Sequence, residues 1–169
     1  MRTTRGLGAQ RTKAPRAGLS IRAVDPQHAD ALALLLQAAE DARALYPELF
    51  ASDSPLPTNA PAVPRSVYLV AYDGDTPVGC GALRPLEPWA GEVRRMFVTP
   101  PARRQGVAAS VLSELERHAR MLDYRVLRLE TGRRQQAAIA LYEGFGFRRI
   151  PPFGPYVGDP YSVCFEKPL

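Results

Sequence analysis

Cysteine is scarce in this chain of 169 residues: Cys80 and Cys164 are the only two, and they lie far apart. They form no Cys-x-x-Cys pair, which argues against a disulfide scaffold or a zinc knuckle and favours a reducing compartment. Histidine is equally rare. His28 and His118 fall in helical stretches with no second ligand at i+4, so no metal site is expected. No apolar run approaches the roughly 18 residues that span a bilayer. The start carries no apolar signal-like segment, and the chain shows no internal repeat. The expectation is a cytoplasmic protein without a membrane attachment.

Hydrophobic residues make up 46% and charged residues 23%, ordinary values for one globular domain with a full core. The formal charge is +5, and its location matters more than its size. Arg2, Arg5, Arg11, Lys13 and Arg16 lie in residues 1–18 with no acid among them, and the rest carries 17 basic and 17 acidic side chains. Residues 1–18 therefore read as a basic disordered tail and 19–169 as the domain. Nucleic-acid readers keep their basic residues on a folded face with aromatic or helical elements. An aperiodic tail does not, so no dedicated nucleic-acid binding is expected.

Alternation predicts a first strand over Leu19–Val24. Asp25-Pro26 then reads as an N-cap and first helical position, followed by a helix with Leu32, Leu35, Leu36, Ala39 and Ala42 on its inner side, ending before Pro47. Residues 47–65 hold five prolines and read as a stiffened loop or broken helix beside a site. Ser66–Tyr72, the Asp73-Gly74-Asp75 turn and Pro77–Arg84 form a hairpin, and Pro85–Gly91 is a turn. Later come a strand over 93–98, a long helix from Gly106, a strand over 125–130, a helix over 135–145, and strands over 147–150 and 161–167. This order predicts an α+β (mixed α/β) domain with helices on both faces of a mostly antiparallel sheet.

One stretch organises the rest: Glu92-Val-Arg-Arg-Met-Phe-Val, a Pro-Pro turn, then Ala-Arg-Arg-Gln-Gly-Val-Ala108. It reads as a strand, a basic loop and a helix start, with Val107, Val111, Leu115, Ala119 and Leu122 at helical spacing beyond. A helix start leaves backbone N–H groups unpaired and carries partial positive charge. Gly106 and the small Ala108 let an anion reach the amides of Gln105, Gly106, Val107 and Ala108, while Arg103 and Arg104 add full charge. The pattern is that of a cradle for two linked phosphates.

Arg103-x-x-Gly106-x-Ala108 after Met96-Phe97-Val98, with Ala138-Ile139-Ala140-Leu141-Tyr142-Glu143-Gly144-Phe145-Gly146-Phe147 downstream, resembles the acyl-CoA signature of the GNAT N-acetyltransferase superfamily. The resemblance covers about residues 19–169. Glu130-Thr131-Gly132, the run from Pro152 to Ser162 and Glu166-Lys167-Pro168-Leu169 are similar to a bacterial, small-molecule-type subgroup of undefined substrate. The resemblance implies six or seven strands, the fourth and fifth splayed, with acetyl-CoA in the gap. It implies a bulge near Arg94-Arg95, where alternation breaks, and backbone of Met96, Phe97 and Val98 pairing with the pantetheine arm.

The same resemblance implies roles at the reacting centre. Glu92, eleven residues before Arg103, stands where a branch of the family has its general base. Tyr142 stands where a tyrosine protonates the leaving sulfur. Gln135 replaces the usual asparagine near the cofactor, and Glu130, at the end of its strand, either faces the cleft or pairs with an arginine. Arg94, Arg95 and Tyr156 are expected to bind the acceptor, which the two arginines mark as carboxylate-bearing. The expected activity is direct acetyl transfer to a primary amine of a small molecule in a ternary complex. A catalytically silent acyl-CoA sensor and a protein or peptide N-acetyltransferase stand as alternatives, and a homodimer is left open.

Overall fold

The computed structural model describes residues 16–169; the expectation for the tail over 1–15 lies outside them. Arg16 is already engaged, with Nη2 3.0 Å from Asp73. Strands β1 (Leu19–Val24), β2 (Val67–Asp73), β3 (Thr76–Glu87), β4 (Ala90–Val98), β5 (Val126–Gly132), β6 (Arg148–Ile150) and β7 (Ser162–Pro168) alternate with helices α1 (Ala29–Leu45), α2 (Val107–Met121) and α3 (Gln136–Gly144). The seven strands form one sheet in the order β1-β2-β3-β4-β5-β7-β6. Every neighbouring pair is antiparallel except β4–β5, which is parallel. The mixed α/β architecture with helices on both faces is as expected. No helix of the described residues is long and apolar enough to cross a membrane.

The sheet separates two cores. On one face α2 presents Val107, Val111, Leu112, Leu115 and Ala119, each no more than 1% exposed. They pack on Leu69, Leu83, Val93, Leu127, Leu129 and Phe165, joined by Ile139 and Tyr142 of α3. Each Leu or Val so buried contributes about 1.5–3 kcal/mol. Gly81 lets α2 lie this close: a Cβ there would come within 2.8 Å of Val111 and 2.9 Å of Leu115. Glu116, on the same helix, bonds Lys167 of β7 and Arg120, both at 2.8 Å. The opposite face packs Ala31 and Leu34 of α1 on Tyr68, Val70, Tyr72, Cys80 and Ala82.

Several boundaries differ from the sequence reading. α1 starts at Ala29, not after Asp25: the His28 ring accepts from the Asp30 N–H (3.2 Å) as the cap, while Asp25 Oδ1 accepts from the Gln27 N–H in a preceding turn. The buried side of α1 carries Leu34, not Leu36, which is 41% exposed. Contact with β2 and β3 sets the helix rotation, and local spacing does not report it. The expected turn over Pro85–Gly91 is mostly strand. β3 runs to Glu87 and β4 begins at Ala90, with a register shift between Pro85 and Glu87 that admits a residue lacking an N–H donor. β5 continues through Thr131-Gly132 because Gly132 pairs with Ser162.

Candidate active site

Four rungs hold β4 to β5, from Ala90 opposite Val126 to Val93 opposite Leu129. Past Val93 the pairing stops, although both strands run on. The cause lies on the other side of β4. There Cys80 pairs with Phe97 and Ala82 with Arg94, so Gly81 alone faces two residues, Arg95 and Met96. This is the expected bulge. Arg95 takes φ +59, and such an insertion bends and twists its strand. No β5 residue pairs with Met96, Phe97 or Val98 along the gap.

The gap opens into a cavity of about 470 Å³. β4 gives it Arg94, Arg95 and Met96; β5 gives Glu130 and Thr131; α3 gives Gln135 and Tyr142; α1 and the proline-rich loop close it. The main-chain cradle lies at the start of α2. Gly106 caps that helix at φ +82, with no side chain bonding the first-turn N–H groups. A Cβ on Gly106 would meet no protein atom within 4 Å, so the space beside its Cα, at the helix start, is open. Arg104, also at positive φ, is exposed beside it. Gln105 donates Nε2 to the Pro101 carbonyl at 3.0 Å. Arg103 is used differently: it pairs with Asp41 of α1, donates Nε to the Val98 carbonyl (2.9 Å) and lies over the Phe97 ring. It braces the loop between β4 and α2. An open, dipole-bearing helix start beside a split sheet fits a cofactor with a diphosphate and a strand-like arm.

The two carboxylates near the gap have different surroundings. Glu92 is 8% exposed, and its Oε1 accepts from the Tyr156 hydroxyl at 2.8 Å. Neither residue lines the cavity. Glu130 does. It is the first β5 residue past the last rung, and Ser162 Oγ donates to its Oε1 at 2.8 Å. No arginine pairs with it among the described residues. Burial pushes its carboxyl above the usual range, with the Asp159 and Glu92 charges adding to the effect against Ser162 and Arg94. Tyr142 reaches the same cavity from the other face of the sheet. It is 5% exposed, and its hydroxyl makes no hydrogen bond to a described residue. Burial, then the charge of Glu130, raises its hydroxyl well above the ordinary tyrosine range. Tyr156 is raised by burial and by its bond to Glu92.

Cys80 also lines the cavity, but burial pushes its thiol up to about 11, and Sγ bonds the Arg95 carbonyl at 3.2 Å. It stays a protonated wall. Sequence reasoning did not single out Tyr68 or Asn59. The Tyr68 hydroxyl is buried without a partner, and Asn59 pins the proline-rich loop through Nδ2 to the Pro26 carbonyl (2.9 Å). The partners of Asn59 lie more than thirty residues away in sequence, which local patterns do not record.

A bulge that splits a parallel strand pair, an open helix start beside the split, and a carboxylate and a tyrosine converging there define an acyltransferase that takes its acyl group from a coenzyme A thioester. The chain belongs to the acetyltransferase (GNAT) family, whose model matches residues 32–147, and it is an acetyl-CoA-dependent acetyltransferase. An IAA acetyltransferase of Azospirillum brasilense is 46% identical over 109 residues, 64% of this chain and 71% of that one. The uncharacterized N-acetyltransferase YsnE of Bacillus subtilis is 39% identical over 108 residues, 63% of this chain and 72% of that one. Among solved structures, a Klebsiella pneumoniae protein assigned as an acyl-CoA N-acyltransferase is 37% identical, covers 89% of this chain and 97% of its own, and superposes with TM-score 0.73.

Proposed function

We propose that the protein transfers the acetyl group of acetyl-CoA directly to the primary amine of a small molecule, with both substrates bound at once. When bound, the cofactor supplies an activated acetyl thioester whose sulfur departs as a thiolate. The first-turn amides of Gly106, Val107 and Ala108 would hold its diphosphate, aided by Arg104 and by Gln105 in the loop. The backbone of Met96, Phe97 and Val98 would align its arm as an added strand, and the N–H near Phe97 would polarise the thioester carbonyl. Gln135 offers an amide to the cofactor from the start of α3. Arg103 keeps the cradle in place through Asp41 and the Val98 carbonyl.

An amine is protonated near neutral pH and must lose a proton before it attacks. Glu130 would take that proton, a role supported by its place in the cavity lining and its raised proton affinity. Tyr142 would give one to the departing sulfur. Burial keeps its hydroxyl protonated, and no described residue bonds it. The observation that carries this reading is the approach of Glu130 and Tyr142 to one cavity from opposite faces of the sheet. Glu92 supports a second reading, in which its bond to Tyr156 forms a relay that takes the amine proton to a buried carboxylate.

The test is a thiol-release assay over a panel of amines with Tyr142→Phe beside the wild type. The loss expected for a general acid is about 10²–10⁴-fold in turnover, with CoA affinity little changed. Equal turnover would remove Tyr142 from the chemistry. Cofactor binding without thiol release from any amine would point instead to a silent sensor.

A further inference from the structure

A second cavity of about 260 Å³ lies on the α1 face of β2, β3 and β4, beneath the proline-rich loop. Arg84, Arg94 and Arg95 line it, with Thr58, Ser66 and Tyr68, and no acidic side chain is among its lining residues. Arg94, Arg95 and Tyr68 line the larger cavity as well, so the two share a wall. None of the three arginines forms an ion pair with a described residue. By contrast Arg103, Arg117, Arg120, Arg128, Arg134 and Arg149 are each paired with a carboxylate. Glu92 stands opposite Arg84 in register, but its carboxylate bonds Tyr156 instead.

Arg95 and Arg84 are held in place by neutral groups. Arg95 donates Nε to Asn59 Oδ1 (3.2 Å) and Nη2 to the Thr58 carbonyl (3.1 Å), leaving Nη1 without a partner. Arg84 donates Nη1 to the Pro61 carbonyl (3.0 Å). Asn59 is itself 6% exposed and anchored to the Pro26 carbonyl, so the loop that positions Arg95 is fixed. Arg95 also occupies the bulge at φ +59, where a glycine would sit without cost and an L-residue costs roughly 1–2 kcal/mol. A half-buried guanidinium in a strained backbone position, next to a second arginine and without a counter-ion, lacks one charge of opposite sign.

We propose that the smaller cavity binds the anionic group of the acceptor while its amine lies in the larger one, so the acceptor is an amino-carboxylate. The planar forks of Arg84, Arg94 and Arg95 match a carboxylate, with two N–H groups per oxygen pair. The shared wall sets the substrate class: amine and carboxylate lie close together on one small molecule, as in an amino acid. A polyamine would bring further positive charge toward these three arginines and is disfavoured. This proposal rests on the transfer reading above.

The test compares matched acceptors in the thiol-release assay: L-phenylalanine with phenethylamine, and 2-aminoethylphosphonate with ethylamine. The expected result is a KM at least about tenfold lower for phenylalanine than for phenethylamine. Arg84→Gln and Arg94→Gln should each remove most of that difference and leave the KM for acetyl-CoA as in the wild type. A phosphonate advantage that exceeds the carboxylate advantage overturns the carboxylate assignment. A preference for neutral amines, or an equal rise in KM for both members of a pair, overturns the subsite. If no amine is acetylated, the transfer reading fails on its own, and calorimetry with N-acetyl-L-phenylalanine decides the subsite. Binding to the wild type that is lost in Arg84→Gln supports it, and no binding to the wild type overturns it.

Discussion

Replacing Gly106 with alanine separates the fold's need for glycine from the cofactor's. At φ +82 an L-residue costs about 1–2 kcal/mol, and the new Cβ meets no protein atom within 4 Å, so strain is the whole cost to the fold. For a domain of this size that amounts to a fall of roughly 2–8 °C in Tm. The cofactor is affected far more. The methyl group would enter the open space at the helix start and displace the diphosphate from the first-turn amides. Each hydrogen bond to a charged group is worth about 1.5–3 kcal/mol, so losing one weakens binding roughly 10- to 150-fold. Gly74, at φ +61 in the β2–β3 turn and also with nothing within 4 Å, provides the strain control. Calorimetric titration with CoA and thermal melts of both variants should show similar losses of Tm but weaker CoA binding in Gly106→Ala alone. Wild-type CoA affinity in Gly106→Ala would refute the cradle.

Four further substitutions test other parts of the structure. Glu130 must be ionised to accept a proton, so turnover should fall as pH drops through its raised pKa. Glu130→Gln should lower kcat about 10²–10⁴-fold and abolish that limb of the pH profile, whereas a limb that survives in Glu130→Gln but not in Glu92→Gln assigns the base to Glu92. Gly81→Ala should cost about 1–3 kcal/mol in urea melts, because its Cβ would press on Val111 and Leu115, both fully buried; an unchanged midpoint would mean that α2 moves freely. Glu116 is penalised by burial, yet the bonds from Lys167 and Arg120 outweigh that and hold its pKa below the ordinary value. Its contribution is therefore complete above the unfolded pKa of about 4.3 and is lost as pH falls through the lower folded value. Glu116→Gln should cost about 1–3 kcal/mol near neutral pH, with the gap to the wild type closing in acid.

The parts of the site that follow from neighbouring residues were legible in the sequence. The family resemblance, with the break in alternation at Arg94-Arg95, pointed to the bulge, and the spacing of Val107, Val111, Leu115 and Ala119 announced the helix that starts at the cradle. Gly106 needed no partner to be read, since its role is its own backbone angle. What escaped depends on contacts distant in the chain. That Glu130 lines the cavity while Glu92 bonds Tyr156, sixty-four residues further on, is not written in local spacing. The pairing of Arg103 with Asp41 of α1, sixty-two residues away, was likewise not legible. The inner side of α1 was misjudged by about a quarter turn: Leu35 is buried as expected, but Leu34 stands inside where Leu36 was expected, and only the sheet beneath distinguishes them.

Among the described residues, the four rungs between β4 and β5, with the Arg125 N–H bond to the Trp89 carbonyl at their closed end, form the backbone seam joining two half-sheets, β1 to β4 on one side and β5, β7 and β6 on the other. A seam fastened at one end resembles a partly closed zip, and a ligand that runs as a strand along the open end would close it. The folded chain and its cofactor then complete each other. Saturating CoA at a hundredfold excess over its Kd should raise unfolding free energy by about 2.7 kcal/mol, and amides on both lips of the seam should exchange with solvent more slowly.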